Sequence, residues 1–534
     1  MAKKAKPRIP AGMRDVLPRQ MIKRQYVIDV IKTVFESFSF EPLQTPAIEM
    51  SETLKGKYGP DAERLIYNAT YGSGTKEDIS LRYDLSVPLC RMLAMYPKIT
   101  KPFKRYQIAP VWRADRPQKG RYREFYQCDA DTVGSSSILA DAEIVNVIYE
   151  ILARLGFKNF VININHRKIL KGIGQFAGVP DTVLGGLYRS IDKIGKIGIT
   201  GVERELKSVG LPSDIIQKLV RSTRLLLQNK LEANHLASDL EKQKLPDEVV
   251  QAMTPELLAV VEVIDKTTIK PKDVQEEANR IVGQCVDTLR NVYQEDVELI
   301  PDPVVSKLLS LLQISGPNRI VLAELRKKLA DSPTALEGIS ELEEMTGYLE
   351  NLGIPEQYYV VDFSMVRGLE YYTGPIFETV VKEPKIGSIT GGGRFDELVG
   401  MFVDRSYPAT GTTIGIERII DVMEDMDMFP PNVRSTVSQV LISYFDETTV
   451  AECLNVANML RQAGVKTEMY FDKHPLRDQM GYANSKDIPL VVVIGPDELA
   501  NEQVTIRNMA SKEQQQVKRA EVVTTIKEWL ASAE

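Results

Sequence analysis

The sequence has little cysteine, little histidine and no long apolar stretch. Its 534 residues include four cysteines and three histidines, none of them close neighbours in the chain. Neither a disulfide framework nor a four-ligand zinc site is therefore expected, and a reducing, cytoplasmic compartment is favoured. Apolar runs such as 490–494 are far shorter than the ~20 residues that cross a bilayer, so no transmembrane helix and no membrane partner are expected. The basic N-terminus lacks the apolar centre of a secretory signal.

The remaining composition is that of an ordinary folded protein. Hydrophobic residues make up 43% and charged residues 26%, with a formal net charge of −6. These values exclude disordered and low-complexity classes of protein. The length predicts about three to four domains. The net charge argues against a uniformly basic surface, but it allows a local basic stripe.

Periodicity divides the chain into four segments. Helices are predicted over 20–40 and 137–155, and short strands between 79 and 133 are expected to pair antiparallel. Two prolines within 40–49 predict an extended segment at a sheet edge. Residues 166–350 show helical spacing, strands return over 358–420, and 436–534 alternate strands with helices. That alternation predicts a small α/β domain with a mostly parallel sheet.

The densest chemical signal is the basic segment 98–123, which contains nine lysines and arginines and a single acid, Asp115. Charge alone fits a solvated loop equally well. Strand alternation would place Arg121, Arg123 and Phe125 on one face, and guanidinium groups beside an aromatic ring suit a polyphosphate next to a stacked base. The tip at 116–120 is predicted to be an exposed hairpin loop with donors for nucleic acid.

Three further clusters are polar or glycine-rich: 81–86, 127–131, and 367–374 with 390–396. Gln127, Asp129 and Asp131 would share a strand face with Phe125. A carboxylate in mid-sheet needs a cationic partner, either a neighbouring arginine or a ligand ammonium, and spacing alone favours the arginine. The glycines at 391–393 indicate close backbone approach, but they match neither a P-loop nor a dinucleotide fingerprint.

Taken in order, these motifs resemble the histidyl-tRNA synthetase family of class II aminoacyl-tRNA synthetases. The resemblance is carried by 10–18, 81–86, 111–131, 367–374, 391–402, 410–419 and 488–509, and RGLEYYTG and RPQKGRYREF are its most specific parts. It implies an α+β fold, in which an antiparallel sheet flanked by helices carries an all-helical insertion and is followed by an α/β anticodon-binding domain. The implied domains are a catalytic domain in two parts, 1–165 and 351–430, the insertion 166–350, and the anticodon-binding domain 436–534.

The resemblance implies ATP-dependent attachment of histidine to tRNA(His) through histidyl-adenylate, with Mg²⁺ and in a homodimer whose interface includes Pro46. Arg113 and Arg367 would be the catalytic arginines at the α-phosphate. The implied ATP-binding residues are Arg113, Asp115, Arg121, Phe125 and Arg418. The implied histidine-binding residues are Asp84, Leu85, Ser86, Gln127, Asp131, Tyr371, Tyr372 and Phe395. Arg116, Gln118 and Lys119 would approach the tRNA acceptor end, and the ligands of the metal are not identified.

Two features leave alternatives open. Phe395 stands where the family usually has tyrosine, which removes a hydroxyl near the substrate. A catalytically silent relative is the competing hypothesis, either a regulator of ATP phosphoribosyltransferase or an RNA sensor. Such a regulator lacks the C-terminal domain, and a sensor would be expected to lose Arg113, Arg367 or the Gln127/Asp131 pair, none of which is lost. Lys473, Arg477 and Arg507 are candidates for anticodon contacts, or equally solvated charges.

Overall fold

The computed structural model describes residues 6–57, 60–72, 74, 77–264, 266, 269–293, 297–366 and 371–532. The predicted catalytic Arg367 lies outside the described residues. The first part of the chain contains α1 (Pro18–Ser37), β1 (Glu41–Pro42), β2 (Ile48–Met50), α2 (Ser51–Leu54), α3 (Pro60–Glu63), β3 (Asn68–Ala69), β4 (Ile79–Leu81), α4 (Ser86–Met95), β5 (Phe103–Trp112), β6 (Glu124–Val133), α5 (Ile138–Arg154) and β7 (Phe160–His166).

The middle of the chain is helical. It contains α6 (Arg167–Ala177), α7 (Asp181–Ile191), α8 (Ile194–Ser208), α9 (Ser213–Leu227), α10 (Leu236–Lys242), α11 (Asp247–Glu262), α12 (Val274–Gln284), α13 (Val286–Tyr293), α14 (Asp302–Leu312), α15 (Asn318–Lys328) and α16 (Pro333–Asn351). Strands then return as β8 (Tyr359–Val361), β9 (Pro375–Val381), β10 (Ser388–Arg394) and β11 (Ala409–Ile414), followed by α17 (Ile416–Asp425).

The C-terminal part contains β12 (Val440–Ile442), α18 (Val450–Gln462), β13 (Thr467–Met469), α19 (Leu476–Ser485), β14 (Leu490–Val493), α20 (Pro496–Ala500), β15 (Gln503–Asn508), β16 (Gln514–Lys518) and α21 (Val522–Ala531). Short 3-10 turns lie at Ala233–His235, Glu356–Tyr358, Val399–Met401 and Arg519–Glu521.

The largest sheet has the strand order β1-β5-β6-β11-β10-β9-β7-β8. Its neighbours pair antiparallel except for β1 with β5 and β7 with β8, at the two edges. The predicted extended segment at 40–49 supplies β1, an edge strand, as expected. The α+β prediction with an antiparallel sheet flanked by helices is confirmed.

Strand β6 shows how the sequence divides the two faces of this sheet. Cys128 and Ala130 are fully buried in the main apolar core, where α1, α5 and α17 pack. The residues that alternate with them along β6 face the opposite side of the sheet, where a cavity opens. The predicted helix over 137–155 is α5: the Ser137 side chain caps it by accepting from the Leu139 N–H, and its apolar stripe is buried.

The helical region contains two separate apolar cores. Helices α6 to α8 and α14 to α16 contribute to the same core as the large sheet. Residues between Leu211 and Leu289 instead form a second core of their own. The domain boundary predicted at 166–350 remains a prediction, because packing changes within that range and not only at its ends.

The chain enters and leaves the second core at the same place. Gly210 has φ +93°, and a Cβ there would lie 2.0 Å from the carbonyl oxygen of Glu298, so the two connecting segments touch. Arg290 joins them by donating to the carbonyl oxygens of Lys207 and Ile300, both at 2.8 Å.

The C-terminal sheet has the order β13-β12-β14-β15-β16. The α/β character and the helices near 447–463 and 476–483 are confirmed, but the expectation of a mostly parallel sheet was wrong. β13, β12 and β14 are parallel, whereas β15 and β16 form an antiparallel hairpin. Strand β16 has the sequence QQQVK, which is polar and gives no alternation to read.

Candidate active site

A cavity of about 920 Å³ lies on the face of the large sheet opposite α5. Strands β6, β9, β10 and β11 supply its floor, the segment before α4 and the loop before β6 form one side, and α17 contributes an arginine. The glycines at 391, 392 and 411 leave the floor without side chains, which makes room for a ligand.

One end of the cavity is cationic and aromatic. The Arg113 guanidinium lies 5.3 Å from the centre of the Phe125 ring and 4.2 Å from that of Tyr83, and its Nε donates to the Tyr83 carbonyl oxygen at 3.0 Å. Arg121 and Asp115 line the same end, with 4.0 Å between their charged groups. The predicted ATP-binding residues in this group therefore lie together.

Arg418, at the start of α17, reaches the cavity from the other side. Its Nε donates to the Gly120 carbonyl oxygen at 3.2 Å, which joins α17 to the loop before β6. The expected pairing of Arg121 and Arg123 on one strand face was wrong, because β6 begins only at Glu124. Arg123 turns away and donates to the carbonyl oxygens of Asp115 and Ala11.

The other end of the cavity is acidic and polar. Among the predicted histidine-binding residues, seven line it: Asp84, Ser86, Gln127, Asp131, Tyr371, Tyr372 and Phe395. The two tyrosine rings lie 4.3 Å apart between centres, and Phe395 is only 3% exposed. Leu85 does not line the cavity; its side chain is buried against Val111, and its carbonyl oxygen accepts from Arg105 Nη2 at 3.2 Å.

Of the two partners that the sequence left open for Asp131, the structure contains the arginine, and the carboxylate also lines the cavity. Arg105, itself fully buried, places Nη2 2.6 Å from Oδ2 of Asp131, although this ion pair is not aligned as a hydrogen bond. The same carboxylate faces the cavity. Burial raises the pKa of Asp131 to about 6, and the nearby Arg105 charge opposes that shift only partly. Gly411 lies opposite Asp131 in β11, and a Cβ there would be 2.0 Å from Oδ1.

Asp129 lines the cavity between Gln127 and Asp131, and no role was predicted for it. Its side chain is 3% exposed, and burial raises its pKa to about 7. The signal was present in the sequence, because alternation placed it on the same strand face. What alternation does not reveal is that this part of the face is covered and holds unpaired polar atoms.

The helical region also contributes to the cavity, which sequence reasoning missed. Arg189, Asp192, Lys193 and Lys196, from α7, α8 and the turn between them, lie on its wall. Asp192 Oδ1 accepts from the N–H of Val366 at 3.0 Å, immediately before the undescribed residues 367–370. These contacts join residues more than a hundred positions apart in the sequence, so no local sequence pattern predicts them.

The loop between β5 and β6 is exposed at Arg116, Gln118 and Lys119, as predicted. Gln118 forms an isolated bridge with Arg121, which closes the loop. Lys119 forms an ion pair with Asp425 of α17, with Nζ and Oδ2 2.9 Å apart. These three side chains do not line the cavity, although Asp115 and Gly120 of the same loop do.

The three basic residues predicted for anticodon contacts have different surroundings. Lys473 and Arg477 are exposed, in the loop after β13 and at the start of α19. Arg507 lies in β15, and its Nε is buried without a partner among the described residues. Phe471, beside Lys473, is 85% exposed, so an aromatic ring accompanies the charge there.

Among the residues that the structure describes, no three His, Cys, Asp or Glu side chains come together in a way that could hold a metal ion. None of the helices in the described part of the chain has the length and apolar character needed to span a bilayer.

Comparison with known proteins gives full-length relatives. A family model described as histidyl-tRNA synthetase matches residues 12–277 and 233–419, and one described as anticodon binding domain matches 439–529. The histidine–tRNA ligase of Gloeobacter violaceus is 35% identical, covering 95% of each chain, and that of Aeropyrum pernix is 33% identical, covering 99% of each. The crystal structure of histidyl-tRNA synthetase from Nostoc sp. PCC 7120 is 27% identical, with a TM-score of 0.71 over 98% of this chain and 100% of that one.

An antiparallel sheet with an arginine-bearing cavity, followed by a separate α/β domain, is the architecture of a class II aminoacyl-tRNA synthetase. Within this class, the identity above 30% over the full length of the relatives and the two matched family models identify one family. The chain belongs to the histidyl-tRNA synthetase family.

Proposed function

We propose that this protein attaches histidine to tRNA(His) in two steps. First, a histidine carboxylate oxygen bonds to the α-phosphorus of ATP while the bond from that phosphorus to the departing oxygen breaks, giving histidyl-adenylate and pyrophosphate. Second, a terminal ribose hydroxyl of the tRNA attacks the histidyl carbonyl carbon, loses its proton, and AMP leaves. Neither step needs a protein nucleophile; both need positioning and cations on the developing charge.

The observation that carries the proposal is that one cavity has two chemically different ends. Its cationic, aromatic end suits a nucleotide, because guanidinium groups bind phosphates and a phenyl ring offers a face to a base. Its buried acidic end suits a small polar cation. Oε1 of Gln127 and Oδ1 of Asp129 there are buried without hydrogen-bond partners among the described residues, as expected where a ligand supplies them.

At the nucleotide end the proposed roles follow the family resemblance. Arg113 would contact the α-phosphate and Arg121 the terminal phosphate. Phe125 would stack on adenine, Asp115 would meet the adenine edge, and Arg418 would close the other side. At the amino-acid end, Asp84, Ser86 and Gln127 would surround the α-amino group, whereas Asp131, Tyr371 and Tyr372 would meet the imidazole, with Phe395 beside them.

Mg²⁺ is part of the proposal as the companion of ATP, where it would neutralise charge on the phosphates. A substrate-borne Mg²⁺ usually takes one or two carboxylates and fills its other positions with phosphate oxygens and water. Several carboxylates line the cavity, Glu378 of β9 and Asp115 among them, and the ligands of the metal are not assigned.

The test is histidine-dependent exchange of pyrophosphate into ATP without tRNA. Arg113→Ala is expected to lower the exchange rate roughly 10²- to 10³-fold, because it removes a preorganised cation from the transition state. Histidine affinity, measured by calorimetry, should change much less. Arg154→Ala is the matched control, since Arg154 pairs only with Glu150 on the surface of α5. Equal losses in exchange and in histidine affinity would contradict the role given to Arg113, and the same pattern is predicted for Arg367→Ala.

The tRNA is proposed to meet two parts of the chain. The exposed loop with Arg116, Gln118 and Lys119 would approach the acceptor end, and the C-terminal domain would bind the anticodon, with Lys473, Arg477 and Arg507 as candidate contacts. Single substitutions in the loop should lower aminoacylation of tRNA more than tRNA-independent exchange.

A homodimer is proposed on the side of the cavity-bearing sheet where Pro46 is exposed. Ile48 and Met50 of β2 and Met95 of α4 are large, exposed apolar side chains. Arg91 of α4 pairs with Glu49 of β2 at 2.6 Å and so joins these two elements. Exposed apolar surface of this kind favours an interface, and sedimentation at micromolar concentration tests it.

A cytoplasmic location is proposed because all four cysteines are free and buried, as in a reducing compartment. A catalytically silent regulator or sensor is the less favoured alternative, since the chain retains both the C-terminal domain match and the described cavity residues. Absence of histidine-dependent exchange would reverse that preference.

A further inference from the structure

Asp129 is the most deeply buried acid on the cavity floor without an assigned role. In the sheet it lies between Gln107 of β5 and Thr413 of β11. One of its carboxylate oxygens accepts from the Thr413 hydroxyl. The other, Oδ1, is buried and has no hydrogen-bond partner among the described residues. A buried acceptor left open in this way is costly unless a ligand meets it.

The Thr413 hydroxyl also sets the orientation of Gln127. Gln127 Nε2 donates to Thr413 Oγ1 at 3.3 Å, and the single hydroxyl proton of Thr413 is then used toward Asp129. Gln127 Oε1 is therefore left as a second buried acceptor without a partner in the described residues. Thr413 thus fixes two acceptors, one neutral and one anionic, toward the same space.

The charges around Asp129 leave room for a cation. Asp131 and Asp84 add two further carboxylates, and Arg105 is the guanidinium directly among them. The next cation, Arg82, also interacts with the charge of Asp129, while its guanidinium donates to the carbonyl oxygens of Pro110 and Thr45. Three acids beside two guanidinium groups leave an excess of negative charge, which favours a ligand that brings positive charge.

The position of Asp129 along β6 indicates which positively charged group of the ligand it would contact. Phe125, Gln127, Asp129 and Asp131 follow one another on a single face, spaced about 6–7 Å apart. The proposed substrate must place its carboxylate toward Arg113, at the Phe125 end. Its α-ammonium group then lies nearer to that end than its ring does.

We propose that Asp129 binds the α-ammonium group of the amino-acid substrate together with Gln127 Oε1, while Asp131 meets the side-chain ring. This assignment rests on the proposed function and adds a residue that separates recognition of the amine from recognition of the ring. An ammonium has three N–H donors, so two fixed acceptors position it without saturating it.

The test uses three ligands on the full-length protein: L-histidine and L-histidinol, which carry the amine, and imidazolepropionate, which carries the ring without it. Asp129→Asn should weaken binding of the first two roughly 10- to 100-fold, the effect of losing a charged hydrogen bond. It should leave imidazolepropionate within about twofold of wild type, because no amine is present. Dissociation constants from calorimetry give the comparison.

Asp131→Asn is the matched control and should weaken all three ligands, since all carry the ring. Thr413→Val is a second variant that removes the hydroxyl from both acceptors; it should show the amine-specific pattern with a smaller amplitude. Equal weakening of all three ligands by Asp129→Asn, or no weakening of any, would overturn the assignment. Failure of the wild-type protein to bind histidine at all would overturn the proposed function and this inference together.

Discussion

Two buried arginine–aspartate pairs in this protein use the same chemistry in different ways. Arg394 of β10 donates to Asp141 of α5 from Nε at 3.1 Å and from Nη2, and to two main-chain carbonyl oxygens at 2.9 and 3.0 Å. All three of its nitrogens are therefore bonded. Arg105, beside Asp131, donates to one carbonyl oxygen, and its Nε and Nη1 have no partner among the described residues.

The pKa does not distinguish the two pairs, because burial raises that of Asp131 and that of Asp141 alike to about 6. The hydrogen bonding of the two arginines does distinguish them. Arg394, fully bonded, joins a helix to a strand, although Oδ1 of Asp141 is buried without a hydrogen-bond partner among the described residues, whereas Arg105, with two unbonded nitrogens, lies beside the cavity. The unmet donors of a buried arginine are thus a better guide to the binding site here than a shifted pKa alone.

The largest expected effect separates the pairs by stability. Arg394→Met should lower the free energy of unfolding by about 3–5 kcal/mol, because it leaves Asp141 buried without its cation. The loss of unfolding free energy in Arg105→Met should be smaller than that in Arg394→Met by at least about 2 kcal/mol, since Asp131 faces a cavity that can admit water. Urea denaturation of both variants measures the difference, and equal losses would show that the two pairs have the same role.

The next effect is on activity. Gly411→Ala would place a Cβ 2.0 Å from Asp131 Oδ1, so the carboxylate must move. We expect histidine-dependent pyrophosphate exchange to fall roughly 10- to 100-fold at subsaturating histidine. Gly400→Ala is the control, because the nearest atom to an added Cβ there is 3.5 Å away. A wild-type KM for histidine in Gly411→Ala would argue against a ligand role for Asp131.

The smallest effect is a gain in stability. Burial raises the pKa of Asp129 from its ordinary 3.8 to about 7, so the folded chain keeps a proton that the unfolded chain releases between about pH 4 and 7. The contribution of Asp129 to the free energy of unfolding falls as pH rises through that window. At pH 8 the carboxylate is ionised in both states, so the full cost of burying its charge is reached. Asp129→Asn should raise the ligand-free stability at pH 8 by about 1 kcal/mol, with a smaller gain at pH 5. Thermal melting at both values tests this, and a gain independent of pH would exclude titration of Asp129 as its cause.

Much of the fold could be predicted from local patterns. The amphipathic stripe of α5 and the alternation in β6 each follow from a period that burial imposes, and the edge strand β1 follows from its proline. The polar strand β16 carried no such period. The loop at 116–120 was predicted, but alternation also extended the following strand back to Arg121, whereas β6 begins only at Glu124 because the bridge between Gln118 and Arg121 closes the loop there.

The candidate site was predictable in its residue types rather than in its geometry. The resemblance supplied Gln127 and Asp131, and the cavity contains both. The resemblance did not supply Asp129, because the role of that residue depends on which parts of the structure cover the cavity face of β6. Arg189 and Asp192 were missed for another reason: their contact with the cavity depends on how the helices fold back onto the sheet, which local sequence does not encode.

Beneath the second helical core the two connecting segments meet, where Gly210 contacts Glu298 and Arg290 donates to both segments. Because this core is built from one continuous stretch of chain whose two connections lie side by side, we expect its helices to tolerate changes in length. Such changes should leave the register of β6 against β11, and therefore the spacing of the acids on the cavity floor, undisturbed.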